Sequence, residues 1–171
     1  MILDGLLPQQ ATQGGGGKPL PGEIRLQGEK FTRGNVQVDT QNYGKGIGVI
    51  INGGTMPNFA EYEFIVERDK VYQLEIRYAG GESRPVEITL DGDQVASAAL
   101  SKVTGSWEPG GQQWHVINLL PLSAGKHLLR IERNDAIPHI DQIYLAPVVI
   151  TREREAEQVR ALSENLPRDL R

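Results

Sequence analysis

The sequence predicts an all-β protein, a jelly-roll β-sandwich of two antiparallel sheets followed by a short C-terminal helix, and three observations carry that prediction. Runs of period-two alternation recur along the chain, each bounded by turn-forming residues. Twenty glycines and ten prolines in 171 residues punctuate those runs at the spacing a turn-rich sandwich needs. Helical spacing of apolar residues, by contrast, appears in one place, at Thr151–Leu166. With 39% hydrophobic residues and no cysteine, one core must hold the fold without covalent staples.

In chain order, residues 1–22 contain the run Gly14–Gly17 and three prolines, which leave little to bury, and they read as a linker. The Gly14–Lys18 run is no phosphate loop, because Pro19 follows Lys18 where that motif needs Ser or Thr and a helix. The module proper is expected at 23–148. Its first strand is Glu23–Phe31, with Ile24 and Leu26 on one face and Arg25, Gln27 and Glu29 on the other. Val36–Val38 and Gly48–Ile51 are further short strands, and the loop between them, Asp39–Ile47, holds Tyr43 among glycines and amides. Ala60–Val66 alternates cleanly.

The stretch Val71–Leu90 reads as a central hairpin. Tyr72, Leu74, Ile76 and Tyr78 share one face of its first strand, and Val86, Ile88 and Leu90 one face of its second, across the polar turn Gly80–Ser83. Asp91-Gly92-Asp93 is a second hairpin turn, with Gln94–Leu100 beyond it. A long loop, Ser101–Gln113, carries Trp107 between Ser106 and Glu108. Trp114–Leu119, Gly125–Glu132 and Ile140–Leu145 complete the strands, and Trp114, lying in a clean alternation, is expected in the core. Residues 149–171 form a C-terminal extension in which Ala156, Val159, Leu162 and Leu166 line one side of a helix.

Composition narrows the function. The formal charge is −4, and the eighteen basic residues are scattered rather than gathered in a stripe, which argues against nucleic acid as a partner. No apolar run approaches the roughly 18 residues that cross a bilayer, and Met1–Leu7 lacks the pattern of a secretory signal, so no membrane partner is expected. The tails at both ends are those expected of a module carried inside a larger protein.

Six fragments then occur in a familiar order. They are Gln27-Gly28-Glu29-Lys30-Phe31, Ala60-Glu61-Tyr62, Ile76-Arg77-Tyr78-Ala79, Thr104-Gly105-Ser106-Trp107, Leu122-Ser123-Ala124-Gly125-Lys126-His127 and Ile140-Asp141-Gln142-Ile143. Together, over about residues 23–146, they resemble carbohydrate-binding modules of families 6 and 35, galactose-binding-like sandwiches. Two positions depart from that pattern: Gly28 stands for the usual Ala, and His139 for the usual Asn.

The resemblance implies a non-catalytic module that binds oligosaccharide or polysaccharide. It also implies location outside the cytoplasm, extracellular or periplasmic, through a parent protein whose other domains are its neighbours. The implied sugar contacts are Tyr43, Trp107 and His139, since a pyranose lays its C–H face on an aromatic ring while its hydroxyls seek polar partners at the edge. Whether the sugar is neutral or acidic would turn on Lys45, Lys102 or Arg133. Trp107 and Tyr43 also have ordinary readings as packing residues, and His139 as the cap of a turn after Pro138. The resemblance further implies a structural calcium ion on Gln27, Glu29 and Asp141, hard oxygens that the first and last strands could bring together, away from the sugar loops.

An interaction domain on the same sandwich, using its loops or the C-terminal helix and binding no sugar, is the alternative. Catalysis has less to support it. His115, His127 and His139 fall on separate elements with no close-spaced pair for zinc, and no Gly-x-Ser-x-Gly elbow is present. Glu61 and Glu63 would stand about 6.5–7 Å apart on one strand face, near the spacing of an inverting glycosidase pair, but any solvated strand face produces that spacing.

Overall fold

The computed structural model describes residues 19–148; most of the expected linker and the whole of the expected C-terminal helix lie outside the described residues. Among the described residues there are eleven strands: β1 (Ile24–Gln27), β2 (Arg33–Gly34), β3 (Gln37–Asp39), β4 (Val49–Ile51), β5 (Asn58–Val66), β6 (Lys70–Ala79), β7 (Val86–Leu90), β8 (Asp93–Ala99), β9 (Gln113–Leu122), β10 (Gly125–Arg133) and β11 (His139–Pro147). They form two antiparallel sheets. The larger has the order β3-β4-β11-β6-β9, with β1 also paired to β11, and the smaller has the order β2-β5-β10-β7-β8. The all-β sandwich expected from the alternation is therefore the observed architecture.

Alternation also placed the core. Leu74, Ile76, Tyr78, Ile143 and Leu145 from the larger sheet meet Tyr62, Phe64, Ile88, Leu129 and Ile131 from the smaller in one buried cluster. Every one of these side chains comes from the face that period-two reading assigns to the interior.

Three local expectations fail, each for a physical reason. The central hairpin does not exist: β6 pairs with β11 and β9, whereas β7 pairs with β10 and β8, so Gly80–Pro85 crosses between layers. Two strands that both bury one face can meet face to face across the core as well as edge to edge, and alternation does not distinguish the two. The true hairpin follows it. Asp91 and Gly92 both take positive φ, 53° and 91°, the pair of left-handed residues that a two-residue turn between β7 and β8 requires. The first strand stops at Gln27, and Gly28–Lys30 forms a 3₁₀ turn. A Cβ at position 28 would lie 2.5 Å from the Ile140 carbonyl oxygen, so this close approach of two backbones is open to glycine alone. Trp114 is not in the core. It pairs with Arg77 on the outer face of the larger sheet, half-buried, with its ring edge-on to Tyr144 at 6.1 Å. A bulge between Leu74 and Glu75 changes the register of β9 against β6 within the run that made Trp114 look internal.

Candidate sugar site and carboxylate pair

Four connections converge at one end of the sandwich: β3–β4 with Tyr43, β6–β7 with Gly81 and Arg84, β8–β9 with Trp107, and β10–β11 leading to His139. Asp39 organises the first of them. Its carboxylate accepts from the backbone N–H groups of Gln41 and Asn42 and from the Asn42 amide, which turns the chain back toward the sheet. Tyr43 is thereby directed inward and is only 4% exposed. This corrects the expectation of an exposed loop aromatic.

The Tyr43 hydroxyl sits between the Trp107 carbonyl oxygen and His139 Nδ1. A carbonyl can only accept, so the tyrosine proton goes to Trp107, and His139 must donate from Nδ1 to the phenol oxygen. Burial pushes the Tyr43 hydroxyl up to about 12, with Glu108 and Asp39 adding to it, so it keeps its proton. Burial also lowers the His139 pKa, the Trp107 carbonyl opposing and the Arg84 charge assisting. A neutral imidazole with its hydrogen on Nδ1 leaves Nε2 as an acceptor, which is what a sugar hydroxyl would donate to.

Trp107 is half-buried, its ring 4.8 Å from that of His139. The Arg84 guanidinium lies 4.1 Å over the indole, and a Cβ at Gly81 would come within 2.5 Å of its Nε1. Arg84 is itself fixed, donating to the Ile137 carbonyl at 3.1 Å and to Glu82 at 2.8 Å. Thr104 ties the tryptophan loop to the β6–β7 connection by accepting from Gly80 N–H at 2.8 Å. The three residues singled out in the sequence thus meet, and Arg84, Gly81 and Thr104 complete the cluster. Gly81 stood in the expected turn Gly80–Ser83 and Thr104 in the tryptophan fragment, whereas nothing in the sequence singled out Arg84. Of the basic residues thought to set sugar charge, Lys45 and Lys102 are exposed on the Tyr43 and Trp107 connections, and Arg133 is tied to its own turn through the Ala136 carbonyl.

The expected calcium ligands divide. Glu29 packs under Gly48, where an added Cβ would touch its side chain at 2.7 Å, and its Oε2 is buried with no hydrogen-bond partner. Asp141 occupies the bulge of β11 between Ile140 and Gln142, buried, with Arg77 Nη1 donating to it at 2.9 Å. Burial raises the Asp141 pKa; Arg77 opposes that shift and Glu29 adds to it. Gln27 does not join them, because β1 ends there and its amide oxygen accepts instead from Gln142 at 3.2 Å on the outer face. Among the described residues no group of three or more acidic, histidine or cysteine side chains is arranged for a metal. The orphaned Glu29 oxygen and the Asp141 carboxylate that feels its charge are hard-oxygen donors of the kind a calcium ion takes. Glu29 stands against Gly48 at the end of the Tyr43 loop and Asp141 two residues after His139, so these two side chains lie nearer the loop end than expected.

The carboxylates that matched glycosidase spacing are occupied. Glu61 receives Arg33 at 2.7 Å and Arg130 at 2.6 Å, and Glu63 pairs with Lys126 at 2.7 Å. The Arg33 hydrogen bond, helped by Arg130, holds the Glu61 carboxyl below its ordinary range against the effect of burial. A general acid needs the opposite shift.

No family model matches the chain, and no curated protein matches it in sequence. Solved structures do match. The native structure of a family 35 carbohydrate-binding module from Clostridium thermocellum aligns over 72% of this chain and 96% of that one, with 23% identity and a TM-score of 0.63. A family 35 module solved in complex with a glucuronic acid-containing disaccharide aligns over 75% and 94%, with 20% identity and a TM-score of 0.58. The C-terminal family 6 module of a marine laminarinase from Zobellia galactanivorans aligns over 72% and 98%, with 18% identity and a TM-score of 0.59. At these identities the likeness is one of fold, and the chain has the β-sandwich fold of family 35 and family 6 carbohydrate-binding modules.

Proposed function

We propose that this protein is a non-catalytic carbohydrate-binding module that takes oligosaccharide or polysaccharide at the loop end, through Trp107 and His139 with Tyr43 positioning both. One observation carries the reading: Tyr43, Trp107 and His139, far apart in sequence, converge on one hydrogen-bonded cluster at the open end of the sandwich. Full-length coverage of modules whose names state carbohydrate binding supports it. In this reading the sugar meets the edge of Trp107 left clear by Arg84 and donates a hydroxyl to His139 Nε2. The protein acts outside the cytoplasm as part of a larger protein.

A glycan array followed by titration calorimetry tests the proposal. Trp107→Ala and His139→Ala, checked for folding by circular dichroism, should each weaken binding about tenfold or more, the loss of a stacking or hydrogen-bond contact worth about 1–2 kcal/mol. Retention of full affinity by both variants would move the site elsewhere. Absence of any glycan ligand would favour the interaction-domain alternative.

The reading includes a structural calcium ion held by Glu29 and Asp141, without Gln27. An ion present at 100 times its dissociation constant adds about 2.7 kcal/mol, so a chelator should lower the melting temperature by several degrees. In Glu29→Ala the chelator should have no effect. An unchanged melting temperature in the parent protein would remove the ion from the account.

A further inference from the structure

The indole that should carry the sugar has one face already taken. The Arg84 guanidinium carbon lies 4.1 Å from the centroid of the Trp107 ring, which is van der Waals contact for a flat group laid on a flat one. A pyranose stacks in the same way, so guanidinium and sugar cannot share that face. The other approaches to the indole are fixed. Gly81 stands so close to Nε1 that an added Cβ would come within 2.5 Å, and the His139 ring, 4.8 Å away, is held by its hydrogen bond with the buried Tyr43 hydroxyl. Moving either would take the Tyr43 cluster or the β6–β7 backbone apart.

Arg84 is held differently. Its Nε donates to Glu82 Oε1 at 2.8 Å, its Nη2 to the same oxygen at 2.6 Å and its Nη1 to the Ile137 carbonyl at 3.1 Å. The Glu82 side chain is 64% exposed, so the charge that anchors the guanidinium is solvated and the pair is weak. A long side chain with several rotatable bonds, tied chiefly to a surface carboxylate, is the one cover of Trp107 that can leave without disturbing the fold.

We infer that Arg84 is a latch on the sugar site: held by Glu82, its guanidinium closes one face of Trp107, and a sugar that stacks there must first displace it. This rests on the reading of Tyr43, Trp107 and His139 as the sugar site and adds its regulation. Closed, the site offers a ligand the indole edge and His139 Nε2; open, it offers the indole face as well. The cost falls on every neutral glycan alike, because the contact to be broken belongs to the protein and not to the sugar. An open state populated about one-tenth of the time weakens apparent affinity about tenfold.

The chain has two tryptophans, so Trp114→Phe leaves Trp107 as the single fluorescent reporter. In that full-length background, acrylamide quenching should rise in Arg84→Ala and, to a smaller extent, in Glu82→Gln, which keeps the guanidinium but removes the charge that holds it. Titration calorimetry then uses neutral oligosaccharides of glucose, mannose, xylose and galactose, with oligogalacturonate as the acidic probe. Arg84→Ala should bind a neutral probe about three- to tenfold more tightly than the parent, the gain expected when a cation–π contact no longer has to be broken, with Glu82→Gln between the two. Adding Trp107→Ala to Arg84→Ala should abolish the gain. Weaker binding of any probe by a folded Arg84→Ala would make Arg84 a sugar contact and overturn the latch. If Arg84→Ala does not fold, Glu82→Gln decides alone. Binding that Trp107→Ala loses but neither latch variant tightens sinks the latch and leaves the sugar site standing. If no probe binds the parent or either variant, the sugar reading fails and the latch falls with it.

Discussion

The two sheets present opposite outer faces. On the smaller sheet, Ile65 points outward and is 70% exposed, while further along the same face Glu61, Arg33, Arg130 and Glu132 form a hydrogen-bonded ionic lattice. On the larger, Glu75 points outward and is 1% exposed, beside a buried tyrosine. An isoleucine in water and a carboxylate out of it, at equivalent positions of adjacent strands in sequence, show that alternation assigns a residue to a side of a sheet without saying what lies on that side. The smaller sheet's outer face is held together mainly by ion pairs, the larger one's by aromatic packing together with polar bonds such as Tyr144 to Glu23 and Gln73 to Glu75.

The most direct way to break this comparison is to truncate one residue on each face. Tyr144→Ala should cost about 3 kcal/mol, the loss of a buried aromatic whose hydroxyl donates to Glu23 at 2.8 Å, and should lower the melting temperature by several degrees. Ile65→Ala should stay within about 0.5 kcal/mol. Trp114→Ala should fall between them, since the ring is half-buried on the outer face and not in the core. Denaturant melts on the three variants measure this, and equal losses for Tyr144 and Ile65 would erase the distinction between the faces.

A smaller effect sharpens the electrostatic half. At the far end of the smaller sheet, His127 directs Nδ1 to Asp91 at 2.7 Å and Nε2 to the Ser123 carbonyl at 2.8 Å. Both partners accept, so both nitrogens must carry hydrogen and the ring must be charged. Burial opposes that charge, but the Ser123 carbonyl and the Asp91 carboxylate prevail and raise the His127 pKa. The stabilisation is therefore complete below the unfolded histidine's pKa and is lost as pH rises through the higher folded value. As pH rises from the unfolded histidine's pKa through the raised folded one, the protein should lose stability that His127→Gln, already lacking the charge, does not lose. Parallel stability profiles of the two proteins would contradict this assignment.

The smallest effect is expected on the acid side. The Glu61 carboxyl is held low, so the stability it contributes is present above its unfolded pKa and is lost as pH falls through the folded one. Glu61→Gln should flatten the acid limb of the stability profile and make the protein less sensitive to salt at neutral pH, because Arg33 is largely exposed and its pair is screened. Glu63→Gln, whose partner Lys126 is mostly exposed, should change neither measurably.

For β5, β6, β7, β10 and β11 the sequence by itself determined which side chains enter the core, because inward positions in a strand repeat every second residue whatever the strand pairs with; the bulge opposite β9 broke that rule for Trp114. It also determined the Asp91-Gly92 turn, since two successive left-handed residues leave few choices of amino acid. The resemblance implied that Tyr43, Trp107 and His139 share a site, and the structure brings them together in contacts the sequence did not show. Whether Tyr43 is buried depends on Asp39 turning its loop, and the neutral His139 tautomer depends on a carbonyl 32 residues earlier in the chain. Arg84 had no local signal, because its contact with Trp107 joins two connections that neither pattern nor spacing relates. The same holds for strand partners, for the separation of Gln27 from Glu29 and for the burial of Glu75. Local sequence fixes dihedral preference and the direction of a side chain, whereas partners, neighbours and solvent are supplied by distant segments and are decided only when the sheets close on one another.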